Sequence, residues 1–379
     1  MSDETPLREH GAAPRPLPRW LVASIVTVLS AVAVLGWIYG PQQASDAAGS
    51  PDVLTAAGLC ESGGPAGHDH SQQGPPAGTS PSPDACHQDG GGPEGSDFVN
   101  ILTVSPNVTT RPTGPNASTG SFVSECGRNE NNHRNPDNFI TSPGVSNGAH
   151  HTHDYVGNVT TSAFSTNESL AAGDTTCRLG DRSAYFWPVL RRLDAVGADA
   201  NAGGGGVDGN DGRILRPVSV QLDFLGNAQA KVVPMPRFIR AITGDAKAGT
   251  NGPTNARAQW TCRGFDNRVT TKYPICPGGG VRRVLEFPSC WNGKDTDSAN
   301  HRTHIVFPAD NGQCPKGTQA VPRLRMTLTY VAPPGRSFAV DSFPEQKHNP
   351  LTDHADFANV MSDRLMALVA ECINTGEAC

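Results

Sequence analysis

A mainly β, disulfide-stapled domain, of β-sandwich or jelly-roll-like architecture with a C-terminal helix, is the fold this chain predicts. Three observations predict it. Gly (42) and Pro (32) are abundant and charged residues make up only 17% of the 379, a balance that favours turns and short strands over long helices. Short runs rich in β-branched or aromatic residues recur between Pro, Gly and Asn. Ten cysteines occur without any CxxC pair, so zinc-ribbon spacing is absent and disulfides are the better reading.

Taken from the N-terminus, residues 1–19 read as a cytoplasmic tail and 20–40 as a transmembrane anchor. The stretch WLVASIVTVLSAVAVLGWIY is uncharged and has about the ~20 residues that a membrane-crossing helix needs. Trp20 stands at one end and Trp37 and Tyr39 at the other, as interfacial anchors do. Arg8, Arg15 and Arg19 precede it, and the next basic residue is Arg111, which places the N-terminus inside and the rest outside. The competing reading is a secreted protein whose signal peptide is cleaved near Ser45–Ala47. Residues 41–95 are Gly/Pro/Ser-rich with too little apolar surface to fold, a spacer on the order of 40 Å through a cell envelope. His68, His70 and His87 in it read as solvated linker residues.

The folded domain is expected over 96–379. Candidate strands are SVQLDFL (219–225), AKVVPM (230–235), RRVLEF (282–287), THIVF (303–307), RLRMTLTYV (323–331) and SFAVDSF (337–343). The segment 197–212, GADANAGGGGVDGNDG, reads as a flexible surface insertion. A helix is expected after Thr352 or Asp353 as N-cap, with Phe357, Val360, Met361, Leu365, Leu368, Val369 and Cys372 as one apolar stripe. On that helix His354 shares the inward face of Phe357 and Met361. Nearest-neighbour pairing gives Cys60–Cys86, Cys126–Cys177, Cys262–Cys276, Cys290–Cys314 and Cys372–Cys379, one of the connectivities the count allows, in an oxidising compartment.

Some functions are excluded early. A net charge of −6 leaves no basic footprint for nucleic acid. The run of four glycines at 203–206 has no following Lys-Ser/Thr, so it is not a phosphate loop, and no GxSxG elbow is present.

The histidines carry the chemistry. In GAHHTHDYVGN (148–158), an extended backbone puts His151 and His153 on one face and turns His150 away. The segment CWNGKDTDSANHRTHIVFP adds Asp295, Asp297, His301 and His304, and His354 points in from the C-terminal segment. Imidazoles suit zinc and copper, and three of them leave a position open for water or substrate. The expected metal ligands are therefore His151, His153, His301, His304 and His354, with Zn or Cu as the ion. Asp297 or Asp356 would orient a ligand or act as general base. On a strand His301 and His304 point to opposite faces, so both can bind only if a turn lies there. The alternative is a hydrogen-bonded polar core. Asp181, in GDRSAYFWP, reads as a turn residue or a hydrogen-bond acceptor behind a ligand.

The segments PGVSNGAHHTHDYVGN, DRSAYFWPVL, MPRFIRAITGDAKA, FPSCWNGKDTDSANHRTHIVFP and SFPEQKHNPLTDHADF resemble one secreted family, the domain of unknown function numbered nineteen-ninety-six. The resemblance runs from about Phe98 to Cys379, looks like the actinobacterial branch, and carries over to His151, His153, Asp181, Asp297, His301, His304, His354 and Asp356. It implies a surface or cell-wall setting, since fungal members often bear WSC carbohydrate-binding modules, although none is present here. The expected function is a metal-dependent enzyme acting on envelope or environmental polysaccharide. A metal-free glycosidase using two carboxylates is a variant. The competing class is a non-catalytic wall-binding or structural module.

Overall fold

In a computed structural model of the chain, residues 92–379 are described. The expected anchor at 20–40, nearly all of the expected linker, and the Cys60–Cys86 pairing lie outside the described residues. Among the described residues no helix is long and apolar enough to cross a membrane.

Over the described residues the fold is mainly β, with three short α-helices, and is built around two five-stranded antiparallel sheets. The first has the spatial order Trp260–Cys262, Gly280–Glu286, Arg323–Val331, Ser219–Leu225, Ser121–Val123. Its longest strands alternate cleanly, with Leu222, Phe224, Leu324, Met326, Leu328 and Tyr330 turned inward. Register follows from that alternation: Met326 pairs with Leu222 and Leu324 with Phe224, so apolar side chains meet on the same face. The predicted strands 219–225 and 323–331 form with the expected bounds.

The second sheet has the order Arg134–Asn135, His153–Gly157, Ala184–Pro188, Ala355–Ala358, Arg240–Thr243. Its central strands are buried on both faces. Tyr185, Trp187, Ala355 and Phe357 share a core with the first sheet, where Phe224 meets Tyr185 and Phe357 at centroid distances of 6.5 and 6.0 Å. On the other face Tyr155, Ala184, Phe186 and Ile242 pack with Phe139, Ile140 and Leu170 from the covering segments. This second face carries the histidines.

Several expectations are corrected. No strand forms over 230–235, the run 303–307 is a strand only at Ile305–Val306, and 337–343 only at Phe338–Val340. The C-terminal helix does not start at Thr352 or Asp353. Ala355–Ala358 is a strand held between Ala184–Pro188 and Arg240–Thr243, and the helix is Asp363–Thr375. Ser362 caps it by accepting the Leu365 amide, and Gly376 ends it in the left-handed region at φ 86°. Phe357, Val360 and Met361 are buried as a strand and its exit, a spacing that imitates a helical stripe. Leu368, assigned to that stripe, is exposed, while Met366 and Ile373 are buried.

The 197–212 insertion is tied down rather than flexible. Buried Asn210 donates through Nδ2 to the carbonyls of His150, Gly204 and Ser342. Four disulfides close Cys126–Cys177, Cys262–Cys276, Cys290–Cys314 and Cys372–Cys379, the nearest-neighbour set among the described residues.

Candidate metal centre

Three imidazoles meet on the second face of the histidine-bearing sheet. His151 Nε2 lies 3.1 Å from His153 Nε2 and 3.2 Å from His354 Nε2, and all three side chains are buried. His153 opens its strand opposite Pro188, and His354 immediately precedes the strand Ala355–Ala358. The inward direction expected of His354 is correct, but a strand entry supplies it and not a helix.

His150 takes the left-handed conformation, φ 51°, at the end of a turn in which its amide donates to the Asn147 carbonyl. That turn, more than strand alternation, swings it away: its side chain is half exposed and Nδ1 donates to Asp208 at 2.9 Å. Strand geometry begins only at His153. His151 is fixed from the side by the edge of Phe343, ring centroids 5.3 Å apart.

Tautomers follow from the partners. A carbonyl oxygen only accepts, so His153 Nδ1 donates to Asp137 O (3.0 Å) and His354 Nδ1 donates to Thr352 O (2.8 Å). Both neutral rings therefore aim a bare Nε2 lone pair at His151. A single Nε2–H on His151 can satisfy one of them and not both. Protonation is opposed: burial first, then the charges of neighbouring imidazoles, hold His151 and His153 well below the usual histidine range. Burial lowers His354 to about 4. The cluster lacks a proton for one of its contacts and resists acquiring it, which is the electronic situation of a ligand set. The three ligand nitrogens all lie within 4.8 Å of one another, close enough that His151, His153 and His354 would hold a single ion.

Two ion pairs brace the histidines from behind. Arg283 donates to both oxygens of Asp353, the residue before His354, and through Nη1 to the carbonyl of Pro188, the strand partner of His153. Both side chains of this pair are fully buried. Arg191 holds Asp341 at 2.6 and 3.0 Å, and Asp341 Oδ2 accepts the amide of Thr152, the residue between His151 and His153. Neither pair was visible in the sequence, because its members lie 70 and 150 residues apart.

The remaining expected site residues are placed differently. His304 spends both nitrogens: Nε2 donates to the Arg240 carbonyl at 2.6 Å and Nδ1 accepts from Ser298 Oγ at 2.9 Å. His301 donates through Nδ1 to Asp297 at 2.9 Å. Neither joins the three converging nitrogens. Asp297 also accepts from Arg240 and from the Ser298 amide. Burial acts to raise it, but His301 and the Ser298 amide outweigh that and hold it below the usual carboxylate range. Asp181 accepts from Ser124 Oγ, Tyr185 Oη and the Ser183 amide, which anchors the start of a strand away from the histidines.

Asp356 is different. Its Oδ2 accepts from Asn138 at 3.3 Å, while Oδ1 is buried without a partner. Burial pushes it up to about 7. A cavity of about 640 Å³ opens here, lined by His151, His354, Asp356, Arg302, Lys247 and Phe343 among others, and Asp297 is not in its wall. The loop that was expected to supply His301 or His304 instead sends Arg302, the residue between them, into this cavity. A charged residue between two histidines gave no signal of its own.

Residues 139–360 match the family described as Domain of unknown function (DUF1996). No curated protein and no solved structure matches the chain. The matched stretch contains all three converging histidines, Arg302 and Asp356. The chain belongs to the DUF1996 family.

Proposed function

We propose that this domain is a metal-dependent hydrolase acting on envelope or environmental polysaccharide, with His151, His153 and His354 as ligands of a zinc or copper ion. The observation that carries this reading is the approach of three Nε2 atoms to 3.1 and 3.2 Å at the wall of a cavity, with two of the rings locked in the ligating tautomer. An ion held by these three histidines would leave a coordination position free and would supply an acidified water there. Asp356 faces the same cavity with an unpartnered oxygen and serves to orient that water or accept its proton. The variant that uses Asp297 and Asp356 as a carboxylate pair is less favoured, since Asp297 is committed to His301 and Arg240.

The two facing antiparallel sheets support a β-sandwich as the architecture. The four disulfides support an oxidising setting, and we place the domain outside the cell, anchored by residues 20–40. An intact N-terminus in the membrane fraction is expected. Recovery of the chain in the medium beginning near Ala47 or Ala48 would assign that segment to a cleaved signal peptide.

The test is metal analysis of the full chain after exposure to zinc or copper and removal of excess, run beside a panel of polysaccharides. One ion per chain is expected. Alanine at His151, His153 or His354 should abolish uptake with the fold retained, whereas His150→Ala should keep it. A wild-type chain that takes up neither metal leaves the non-catalytic wall-binding module as the reading.

A further inference from the structure

Arg302 enters the cavity half-buried and underused. Its guanidinium offers five N–H donors, and only Nη2 is engaged, donating to the Gly244 carbonyl at 2.7 Å. Among the described residues no carboxylate lies within ion-pair distance of it. Four other buried or partly buried arginines are paired, Arg134 with Asp154, Arg191 with Asp341 and Asp199, Arg240 with Asp297 and Arg283 with Asp353. Arg237 and Arg257, partly buried like Arg302, form no ion pair among the described residues but lie outside this cavity wall. Lys247, the other cation in this wall, is already matched to Glu345 at 3.7 Å. Burial holds the pKa of Arg302 below the usual arginine value, and the charges of Asp245 and Asp356, which lie beyond ion-pair distance in the same wall, offset that only in part. A second group in the same wall points to a ligand independently. Asp356 Oδ1 is fully buried, accepts nothing, and lines the cavity.

We propose that Arg302 is the anchor for an oxyanion carried by the substrate, so that the cavity takes an acidic saccharide bearing a carboxylate or phosphate group. The fork of a guanidinium matches either group in two parallel hydrogen bonds, which a neutral sugar cannot form. A carboxylate oxygen accepts two hydrogen bonds, so Asp356 Oδ1 takes a hydroxyl of the same ligand beside the water assigned to it, and a molecule with both an anion and hydroxyl groups satisfies both walls. Gly244 fixes Arg302 relative to the histidines, because its carbonyl holds the guanidinium while its Cα packs on His354. A Cβ there would meet Asp353 O at 2.3 Å and His354 Cα at 2.8 Å. The proposal rests on the metal-centre reading only for what happens to the anchored substrate, not for the anchoring itself.

The experiment is calorimetric titration of the full chain, zinc-loaded and EDTA-stripped, with sodium D-glucuronate, D-glucose 6-phosphate and neutral D-glucose. At least one anionic sugar should bind at least about tenfold more tightly than glucose, as expected for a charge-assisted bidentate contact. Arg302→Gln should remove that advantage while zinc per chain stays at the wild-type level. Arg302→Lys, which keeps the charge and loses the fork, should fall between them and serves if the glutamine variant folds poorly. The two anionic arms identify the group as carboxylate or phosphate. Anionic binding that is unchanged in Arg302→Gln and Arg302→Lys, or that is no tighter than glucose, overturns the proposal. Arg302-dependent anion binding by a chain that takes up neither zinc nor copper supports the anchor and defeats the metal centre alone.

Discussion

Arg283 donates to both carboxylate oxygens of Asp353 inside the core, and the next residue in the chain is His354, whose Nε2 faces the opposite way into the histidine cluster. The pair is wholly desolvated, and Arg283 also reaches the strand partner of His153 through Pro188 O. One buried cation thus holds two of the three converging imidazoles in register. Trp260 and Tyr330 lie beside its guanidinium at 5.5 and 6.0 Å, so the charge is enclosed by aromatic rings and strand backbone.

Removing one member of such a pair strands a buried charge, which costs about 3–5 kcal/mol. Arg283→Met and Asp353→Leu should each lower unfolding free energy by that amount. The double variant should cost less than either single change, because no charge is left unpaired. Urea unfolding of the three variants measures this, and single variants within about 1 kcal/mol of wild type would show that the pair is not buried as described.

Gly244 predicts a second cost. Its φ of +81° and the 2.3 Å approach of a notional Cβ to Asp353 O leave no room for a side chain. Gly244→Ala should destabilise by roughly 1–3 kcal/mol, the usual cost of forced backbone strain. It should also weaken metal uptake, since the displaced atoms belong to Asp353 and His354. A thermally neutral variant with wild-type zinc content would contradict the close approach.

A pH dependence follows from His304. Burial lowers its pKa, with the nearby His301 adding to this and Asp297, Asp295 and the Arg240 carbonyl opposing it. Burial is what favours the neutral ring in the folded chain, with Nε2–H on the Arg240 carbonyl. In the unfolded chain it titrates near 6.5. Below that pH the unfolded state binds the extra proton first, so the contribution to stability is present above about 6.5 and is lost as pH falls. His133, lowered by burial as well, acts in the same direction. The urea midpoint of the wild type should drop between pH 7.5 and 5, and His304→Gln should show a shallower drop. Parallel pH profiles for the two proteins would remove His304 from the account.

What the sequence made legible depended on whether one face of a strand met water. Ser219–Leu225 and Arg323–Val331 each show a polar face, alternate with period two, and could be read to the residue. AYFWP and ADFA are buried on both faces, so alternation vanishes and nothing separates them from helix or loop. His151 and His153 were legible as a pair because two residues of local geometry sufficed. Exclusion of His304 was not, because it turns on a carbonyl of Arg240, 64 residues away. Arg302 was hidden for a plainer reason: a loop arginine with no periodicity around it reads as solvated until its missing partner is seen.

The Cys290–Cys314 bridge gives the last prediction. It closes a span of 24 residues whose own secondary structure is limited to Cys290–Trp291 and Ile305–Val306. The same span delivers Arg302 to the cavity and packs His304 beneath Arg240. Opening a loop of this length releases unfolded-state entropy worth about 3.5 kcal/mol on the chain-entropy account. Cys290→Ala/Cys314→Ala should therefore lose roughly 3 kcal/mol of stability. The loss should not be uniform in its consequences. His151, His153 and His354 are held by Asp137 O, Thr352 O, Arg191–Asp341 and Arg283–Asp353, none of which lies within 290–314. Zinc uptake should survive in the bridgeless protein at temperatures where it remains folded, while amides of 298–304 lose protection from hydrogen exchange. Loss of zinc together with that protection would mean that the loop supplies a ligand after all, restoring His301 to the coordination set.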